Sequence, residues 1–138
     1  MKKLTPNIMV KDVNKSIDYY NENLEFEFVM GVDESNNVKM DDYSGSVLTW
    51  AMIKKDSIEI MLQREDSLVE EIPEFKDMKI GGTFTLFINT RDVKNLYKKI
   101  KDKVEILKER HKTFYGADEF VMKDLNGYII YFSEAQGE

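Results

Sequence analysis

Residues 115–132 read YGADEFVMKDLNGYIIYF, and this stretch decides the fold of the C-terminal part of the chain. Two alternating apolar segments flank the turn at residues 124–127, where an Asn-Gly pair supplies the left-handed backbone that a tight reversal requires. The pattern predicts a β-hairpin with a four-residue loop, which would pair Val121 with Ile130 across the two strands.

A weak repeat runs through the chain. Residues 10–17 and 90–97 share an apolar strand end, a basic residue, an aspartate, a valine and then a helical pattern. Asp12 and Asp92 each stand where a helix N-cap is expected, because a carboxylate there accepts backbone N–H groups of the first turn. Apolar residues at helical spacing follow both aspartates, and strand-like segments follow both helices. The sequence therefore predicts a βαβββ unit that occurs twice.

The two units define the predicted organisation of the chain. Module one covers about residues 1–64 and module two about residues 81–138. The connecting segment, about residues 65–80, begins as a short helix that ends before Pro73. A polar loop is predicted at 33–46. The other predicted strands are 25–30, 47–53, 57–63 and 104–107. Together the modules are expected to form one domain, residues 1–138.

A second hairpin is predicted within module one. The segments 47–53 and 57–63 are apolar and alternate, and Asp56 lies between them. A two-residue loop would pair Ile53 with Ile58 and would leave Trp50 on the face opposite the helix.

The composition limits the classes of partner. The chain has 138 residues, no cysteine, and 26 acidic against 20 basic residues, which is a formal net charge of -6. The absence of cysteine rules out disulfides and thiolate sites and fits a cytoplasmic protein. The acidic balance argues against nucleic acid as a partner. No signal peptide is predicted, and no apolar run is long enough to cross a membrane.

Strand parity decides which side chains could line a binding surface, because successive strand residues point to opposite faces. Ile8 and Val10 in module one, and Leu86 and Ile88 in module two, are expected to face the helices. The opposite faces then carry aromatic, thioether and a few polar groups, a mixture typical of small-molecule pockets. The candidate ligand-binding residues are Asn7, Met9, Trp50, Met52, Glu59, Met61, Thr85, Phe87, Phe120, Met122 and Tyr131.

These segments together resemble the glyoxalase / bleomycin-resistance / extradiol-dioxygenase superfamily, whose members have the vicinal oxygen chelate fold. The resemblance rests on both βαβββ units, both Asp-initiated helices and the closing hairpin, in which Leu125 replaces the usual proline. It implies an α+β fold in which two modules form a curved eight-stranded mixed sheet around a crevice. It also implies a homodimer. It implies no single reaction, since the superfamily includes lyases, epimerases, dioxygenases and non-catalytic drug-binding proteins.

The resemblance also implies where a divalent metal would be bound, on the first strand of each module and on the last strand. Those positions correspond to Thr5, Thr85 and Tyr131, and the matching strand of module one offers Glu59. This set lacks the several imidazole or carboxylate donors that a transition-metal site needs. We therefore predict no metal and no cofactor.

Three polar side chains remain to be interpreted. His111, the only histidine, lies in a charged segment and is interpreted as a solvated loop residue without an orienting partner. Glu59 is interpreted as a crevice carboxylate, whose pKa would rise if it were partly buried, so that it could bind a cation or exchange a proton. Glu119 recurs in family members with the same hairpin pattern, but no role for it follows from the sequence.

The leading hypothesis is a metal-free small-molecule-binding protein that resembles bleomycin-resistance proteins and sequesters a cationic or aromatic ligand in the crevice of a homodimer. Trp50, Phe87 and Tyr131 would stack on the ligand. Two alternatives stay open. One is a divalent-metal-dependent glyoxalase-type lyase or isomerase, or a dioxygenase, with ligands such as Glu59, His111 or a residue of a second chain. The other is an effector-sensing interaction module.

Overall fold

The computed structural model describes residues 1–137, and its elements follow the two predicted repeats. The first repeat consists of β1 (Asn7–Val10), α1 (Val13–Leu24), β2 (Glu27–Asp33), β3 (Val38–Lys39), β4 (Leu48–Lys55) and β5 (Ile58–Arg64). α2 (Glu65–Glu71) and a 3₁₀ turn (Pro73–Phe75) follow. The second repeat consists of β6 (Thr85–Asn89), α3 (Val93–Ile100), β7 (Glu105–Lys112), β8 (Asp118–Lys123) and β9 (Ile129–Glu134). None of the helices in residues 1–137 has the length and apolar character needed to span a membrane.

The chain forms two compact units, of which the first is Met1–Ile80. It contains a five-stranded sheet in the order β1-β5-β4-β2-β3, with β1 parallel to β5 and the other neighbours antiparallel. α1 packs on one face of this sheet. The helix begins after Asp12, whose carboxylate accepts the backbone N–H of Lys15 at 2.9 Å, as the capping pattern predicted. Its buried apolar stripe consists of the predicted residues Val13, Ile17, Tyr20 and Leu24.

The second unit begins at Gly81 and contains a four-stranded sheet in the order β6-β9-β8-β7. This order repeats β1-β5-β4-β2 of the first unit, and β6 is parallel to β9. α3 begins after Asp92, whose carboxylate accepts the N–H of Asn95 at 3.4 Å. Glu134, at the end of β9, accepts the backbone N–H groups of Asp92 and Val93 at 3.0 and 3.2 Å. A second carboxylate therefore ties the start of the helix to the sheet.

The predicted α+β class and the two βαβββ modules are confirmed. Two segments contain more strand than predicted. The loop at 33–46 includes β3, which pairs with β2 through Val38 and Val32. β7 continues to Lys112, so the predicted loop before the closing hairpin is largely strand. That both modules belong to one domain, residues 1–138, stays a prediction.

The hairpin of β4 and β5 keeps its predicted faces but not its predicted register. The structure pairs Ile53 with Ile60, so the predicted pairing with Ile58 is wrong by two residues. The turn consists of Asp56 and Ser57, and Asp56 adopts the left-handed conformation with φ 53°. Because the shift is an even number of residues, every side chain stays on its predicted face.

The closing hairpin of β8 and β9 is shifted by one residue. Val121 lies opposite Tyr131 and not opposite Ile130. The turn explains the difference, because the backbone N–H of Asp124 donates to the carbonyl of Tyr128 at 2.9 Å. The carboxylate of Asp124 also accepts the N–H of Tyr128 at 2.9 Å. Asp124 thus belongs to the strand ladder, and the loop has three residues, not the predicted four.

This one-residue shift moves two predicted site residues to the opposite face. Phe120 lies opposite Phe132, and the two rings stack with centroids 5.2 Å apart. The Phe120 ring also lies 5.1 Å from that of Tyr97 on α3. Phe120 and Met122 are both 0% exposed, and they belong to the core on the face that α3 covers. The prediction that they share a ligand-binding face with Tyr131 is wrong.

Candidate functional site

The open face of module one, opposite α1, carries a row of three methionines. Met30, Met52 and Met61 lie opposite one another on the adjacent strands β2, β4 and β5. Asn7 of β1 extends this row, and Trp50 stands in the next row. Directly opposed residues on one sheet face have their Cβ atoms about 4.5–5.5 Å apart, so these thioether chains are within reach of each other. The methionines and Trp50 are half-buried, which leaves each of them partly accessible.

Met30 joins this row because of a β-bulge. Phe28 lies opposite Ile53 on the face that α1 covers, whereas Met30 lies opposite Met52 on the open face. The pairing shifts between Phe28 and Met30, so two residues that strict alternation would place together occupy opposite faces. Sequence reasoning missed Met30, since an alternating apolar pattern carries no sign of an extra residue in a strand.

α2 covers the edge of this face at β1 and β5. The side-chain amide of Gln63 accepts a hydrogen bond from Asn7 at 2.8 Å, and it donates to Ser67 and to Glu71 on α2, both at 3.1 Å. Met9 lies opposite Gln63 and is only 6% exposed. Met9 is therefore on its predicted face but shielded from solvent, whereas Asn7 is exposed.

Glu59 is paired with the N-terminal segment. Its carboxylate lies 2.6 Å from Nζ of Lys3, and its side chain is 16% exposed. The hydrogen bond from Lys3 holds the pKa of Glu59 below its ordinary value, and the nearby Lys54 acts in the same direction, although desolvation opposes both. The expected rise in pKa is therefore wrong, because a neighbouring ammonium group favours the ionised carboxylate. Since this carboxylate is already paired, it is a weak anchor for a ligand.

The open face of module two carries an aromatic pair. Phe87 of β6 lies opposite Tyr131 of β9, and their rings stack with centroids 5.7 Å apart and planes at 29°. Phe87 is 52% exposed and Tyr131 is half-buried. Thr85 lies on the same face, opposite Ile129. The structure thus brings Thr85, Phe87 and Tyr131 together on one sheet face.

A polar row lies beside this aromatic pair. Asn89, Ser133, Glu119 and His111 lie opposite one another on β6, β9, β8 and β7. Glu119 is 5% exposed, and the hydroxyl of Tyr115 donates a hydrogen bond to its Oε2 at 2.7 Å. This hydrogen bond, together with desolvation and the charge of Glu119, raises the pKa of Tyr115. The sequence did not reveal this row, because its members come from four separate strands.

His111 differs from its interpretation as a solvated loop residue. It lies in β7 and is half-buried, and its Nδ1 is 2.8 Å from the carbonyl oxygen of Glu109. A carbonyl can only accept, so Nδ1 donates, and Nε2 of the neutral ring is left as an acceptor. The expectation that His111 has no orienting partner is wrong. β7 reads EILKERHK, and so many charged residues conceal a strand from pattern analysis.

A surface cavity of about 300 Å³ lies elsewhere in module one, and it contains none of the predicted site residues. Its lining residues are Glu25, Glu27, Phe28, Val29, Lys54, Lys55 and Asp56. Lys55 and Glu25 form an ion pair there at 3.3 Å. Because its wall carries three acidic and two basic residues, the cavity favours no particular class of ligand.

The positions that would hold a divalent metal do not fit one. Thr5, Thr85 and Tyr131 offer neutral hydroxyl groups, and the Glu59 carboxylate is occupied by the Lys3 ammonium. Transition metals prefer imidazole, thiolate or several carboxylates. Across residues 1–137 no group of three or more histidine or acidic residues is arranged to hold a metal ion.

The profile of the Glyoxalase/Bleomycin resistance protein/Dioxygenase superfamily matches residues 4–132 of the sequence. The chain belongs to this superfamily. Its fold is similar to that of a protein of unknown function from Agrobacterium tumefaciens, with a TM-score of 0.74 and 19% identity over 98% of this chain and 94% of the other. A superfamily member from Sphaerobacter thermophilus has a TM-score of 0.70 and 20% identity over 97% and 98% of the two chains.

The fold of the chain is also similar to that of TioX from Micromonospora, with a TM-score of 0.69 and 12% identity over 97% of this chain and 98% of TioX. At these identities the likeness concerns the fold alone. No curated protein matches the sequence. Membership of the superfamily leaves the reaction open, so the function has to be argued from the side chains on the two open faces.

Proposed function

We propose that the chain binds a small organic molecule on the open faces of its sheets, without a metal, and that it does so as a cytoplasmic homodimer. The observation that carries this proposal is the row of Met30, Met52 and Met61 beside Trp50. Thioether side chains are flexible and polarisable, so they adapt to irregular apolar ligands. An indole adds a large, rigid contact area at a small cost in conformational entropy.

The polar groups near these apolar rows support a specific ligand. Asn7 is exposed at the end of the methionine row, and its amide oxygen can accept a hydrogen bond while its nitrogen is held by Gln63. A mostly apolar surface with a few placed polar groups is the usual composition of a small-molecule site. The proposal involves no metal, because Thr5, Thr85 and Tyr131 are poor metal donors.

Exposed aromatic side chains support the homodimer. Phe114 is 100% exposed at the tip of the β7–β8 hairpin, and Phe84 is 44% exposed. Large apolar groups of this kind are enriched in protein interfaces. Sedimentation equilibrium should give twice the mass of the chain. A monomer at all concentrations would contradict the dimer but leave ligand binding open.

Ligand binding can be tested through Trp50, the only tryptophan of the chain. A set of aromatic and cationic compounds is screened by the change in Trp50 fluorescence, and each hit is titrated by calorimetry. We expect Trp50→Ala to weaken the binding of a hit about tenfold, since an aromatic contact of ~1.5 kcal/mol corresponds to about that factor.

The matched control is Leu107→Ala, which removes a 45% exposed apolar side chain from β7 and should leave the affinity unchanged. Equal losses of affinity in both variants, or no hit in the screen, would contradict binding at this face.

Thermal shifts with Ni²⁺, Zn²⁺, Mn²⁺ and Fe²⁺ test the proposal that the protein works without a metal, because a metal that binds the native state raises the melting temperature. A specific shift would favour a metal-dependent lyase or dioxygenase. A protein that co-purifies in fixed ratio would favour an interaction module.

A further inference from the structure

Glu119 is a buried carboxylate with too few partners. It is 5% exposed, and among residues 1–137 the hydroxyl of Tyr115 is its only side-chain hydrogen-bond partner, at Oε2. No lysine, arginine or histidine in this range forms an ion pair with it. A buried carboxylate is costly unless cations or several donors surround it. Among residues 1–137 no fully buried side-chain oxygen lacks a hydrogen-bond partner, so Oε1 of Glu119, which has none, keeps contact with solvent and can accept from a donor outside the chain.

The neighbours of Glu119 on the sheet face add further hydrogen-bond acceptors. His111 lies opposite it on β7, and the bond from Nδ1 to the carbonyl of Glu109 leaves Nε2 as an acceptor when the ring is neutral. Ser133 lies opposite Glu119 on β9, and Asn89 follows on β6. Ser133 and Asn89 can donate as well as accept, so the negative charge of Glu119 is what favours a positively charged group with N–H donors.

An apolar platform stands beside the row. Tyr131 is two residues before Ser133 on β9, which places it about 7 Å along the same face. Its ring stacks with that of Phe87, which is half exposed. Aromatic faces attract cations held close to them. The site therefore offers a carboxylate and an aromatic surface within the length of one small molecule.

The lysines on this face do not satisfy Glu119. Lys108 is exposed and lies opposite Val121. Lys123 lies 3.8 Å from Glu105 at the other end of the sheet. The chain as a whole has a net charge of -6, which favours the approach of cations.

We infer that Glu119 binds the protonated nitrogen of a ligand, an ammonium or amidinium group, on the open face of module two, while Phe87 and Tyr131 contact the apolar part next to it. Tyr115 positions the carboxylate by holding Oε2, so that Oε1 points to the bound cation. This inference rests on the proposed function and adds to it the chemical class of the ligand and the residue that recognises it.

The test uses benzylammonium and its neutral counterpart, benzyl alcohol, titrated into the full chain by calorimetry. We expect the ammonium compound to bind at least about tenfold more tightly, as a charge-assisted hydrogen bond to a buried carboxylate predicts. Glu119→Gln keeps the shape of the side chain and should remove that preference. The control Glu105→Gln changes the net charge equally on the same sheet, at an exposed position, and should change the affinity less than about twofold.

A second measurement holds even if Glu119→Gln fails to fold. In the wild-type protein the ¹³C signal of the Glu119 carboxyl carbon should shift on addition of benzylammonium and stay in place with benzyl alcohol. Equal binding of both compounds, an unchanged Glu119 signal, or equal effects of the two variants would overturn the inference. If that happens while the Trp50 screen yields ligands, the proposed function stands and only the cation site fails. If the screen yields none, the proposed function fails as well.

Discussion

Replacement of Phe120 by alanine tests the register of the closing hairpin, and with it the division between core and ligand surface. The Phe120 side chain is 0% exposed, and its ring packs against Phe132 and Tyr97 at 5.2 and 5.1 Å. Removal of a fully buried phenylalanine costs about 3–5 kcal/mol through lost burial and the cavity left behind. We expect Phe120→Ala to fall in that range.

Phe87→Ala is the matched comparison, because it removes the same side chain from the same sheet. Phe87 is 52% exposed, so the variant loses only about half of the ~1.5–3 kcal/mol that full burial of such a side chain provides, or roughly 1 kcal/mol. The predicted difference between the two variants is therefore at least about 2 kcal/mol. For a chain of this size it corresponds to a gap of roughly 6 °C in melting temperature.

The assay is urea unfolding followed by far-ultraviolet circular dichroism, with all variants fitted to the same slope. Ligand affinity is measured on the same preparations, and Phe87→Ala should weaken it more than Phe120→Ala does. A loss of less than 1 kcal/mol for Phe120→Ala, or a loss equal to that of Phe87→Ala, would refute the register and return Phe120 to the ligand surface.

Three further predictions concern polar groups and backbone packing. Because Lys3 lowers the folded-state pKa of Glu59, this pair stabilises the protein at neutral pH, and its contribution is lost as the pH falls through that pKa. Lys3→Met should raise the pKa of Glu59 in a carboxyl NMR titration, and an unchanged pKa would contradict the ion pair. Gly31→Ala should lower the free energy of unfolding by about 1–3 kcal/mol in the same urea assay, since the new Cβ would lie 3.0 Å from a backbone carbonyl oxygen of β4. An unchanged free energy of unfolding would mean that the strand moves to accommodate the methyl group. Glu119→Gln should lower the pKa of Tyr115 towards its ordinary value, because the hydrogen bond to that carboxylate is the main cause of the raised pKa. ¹³C NMR of the tyrosine ring measures the pKa of Tyr115, and an unchanged pKa would mean that its hydroxyl does not bond to Glu119.

Local patterns were sufficient for the elements of this fold. Asp12 and Asp92 predicted both helix starts, since capping involves only residues within one turn. The helix from Glu65 to Glu71 ends before Pro73, as the proline predicted. The repeat of βαβββ units also followed from the sequence, because each unit has its own cap and its own alternating segments.

The candidate site was predicted less completely than the fold. On module one the predicted residues lie on one face, because the β4–β5 hairpin is shifted by an even number of residues. These residues are Asn7, Trp50, Met52 and Met61. The odd shift in the closing hairpin moved Phe120 to the core, together with Met122. The alternation of a strand predicts which of its residues share a face, but it does not predict which residue of the neighbouring strand lies opposite each of them.

The sequence by itself determined the family, the order of the elements and the apolar stripes of the helices, because these depend on residues close together in the chain. Tertiary structure alone decided the bulge that turns Met30 to the open face and the burial of Glu119 among four strands, since both depend on pairing between segments distant in sequence. The turn at Asp124 is local, but its three-residue loop appeared only in the hydrogen bonds between Asp124 and Tyr128. A change of one residue in strand pairing reverses every face, and no local pattern reports it.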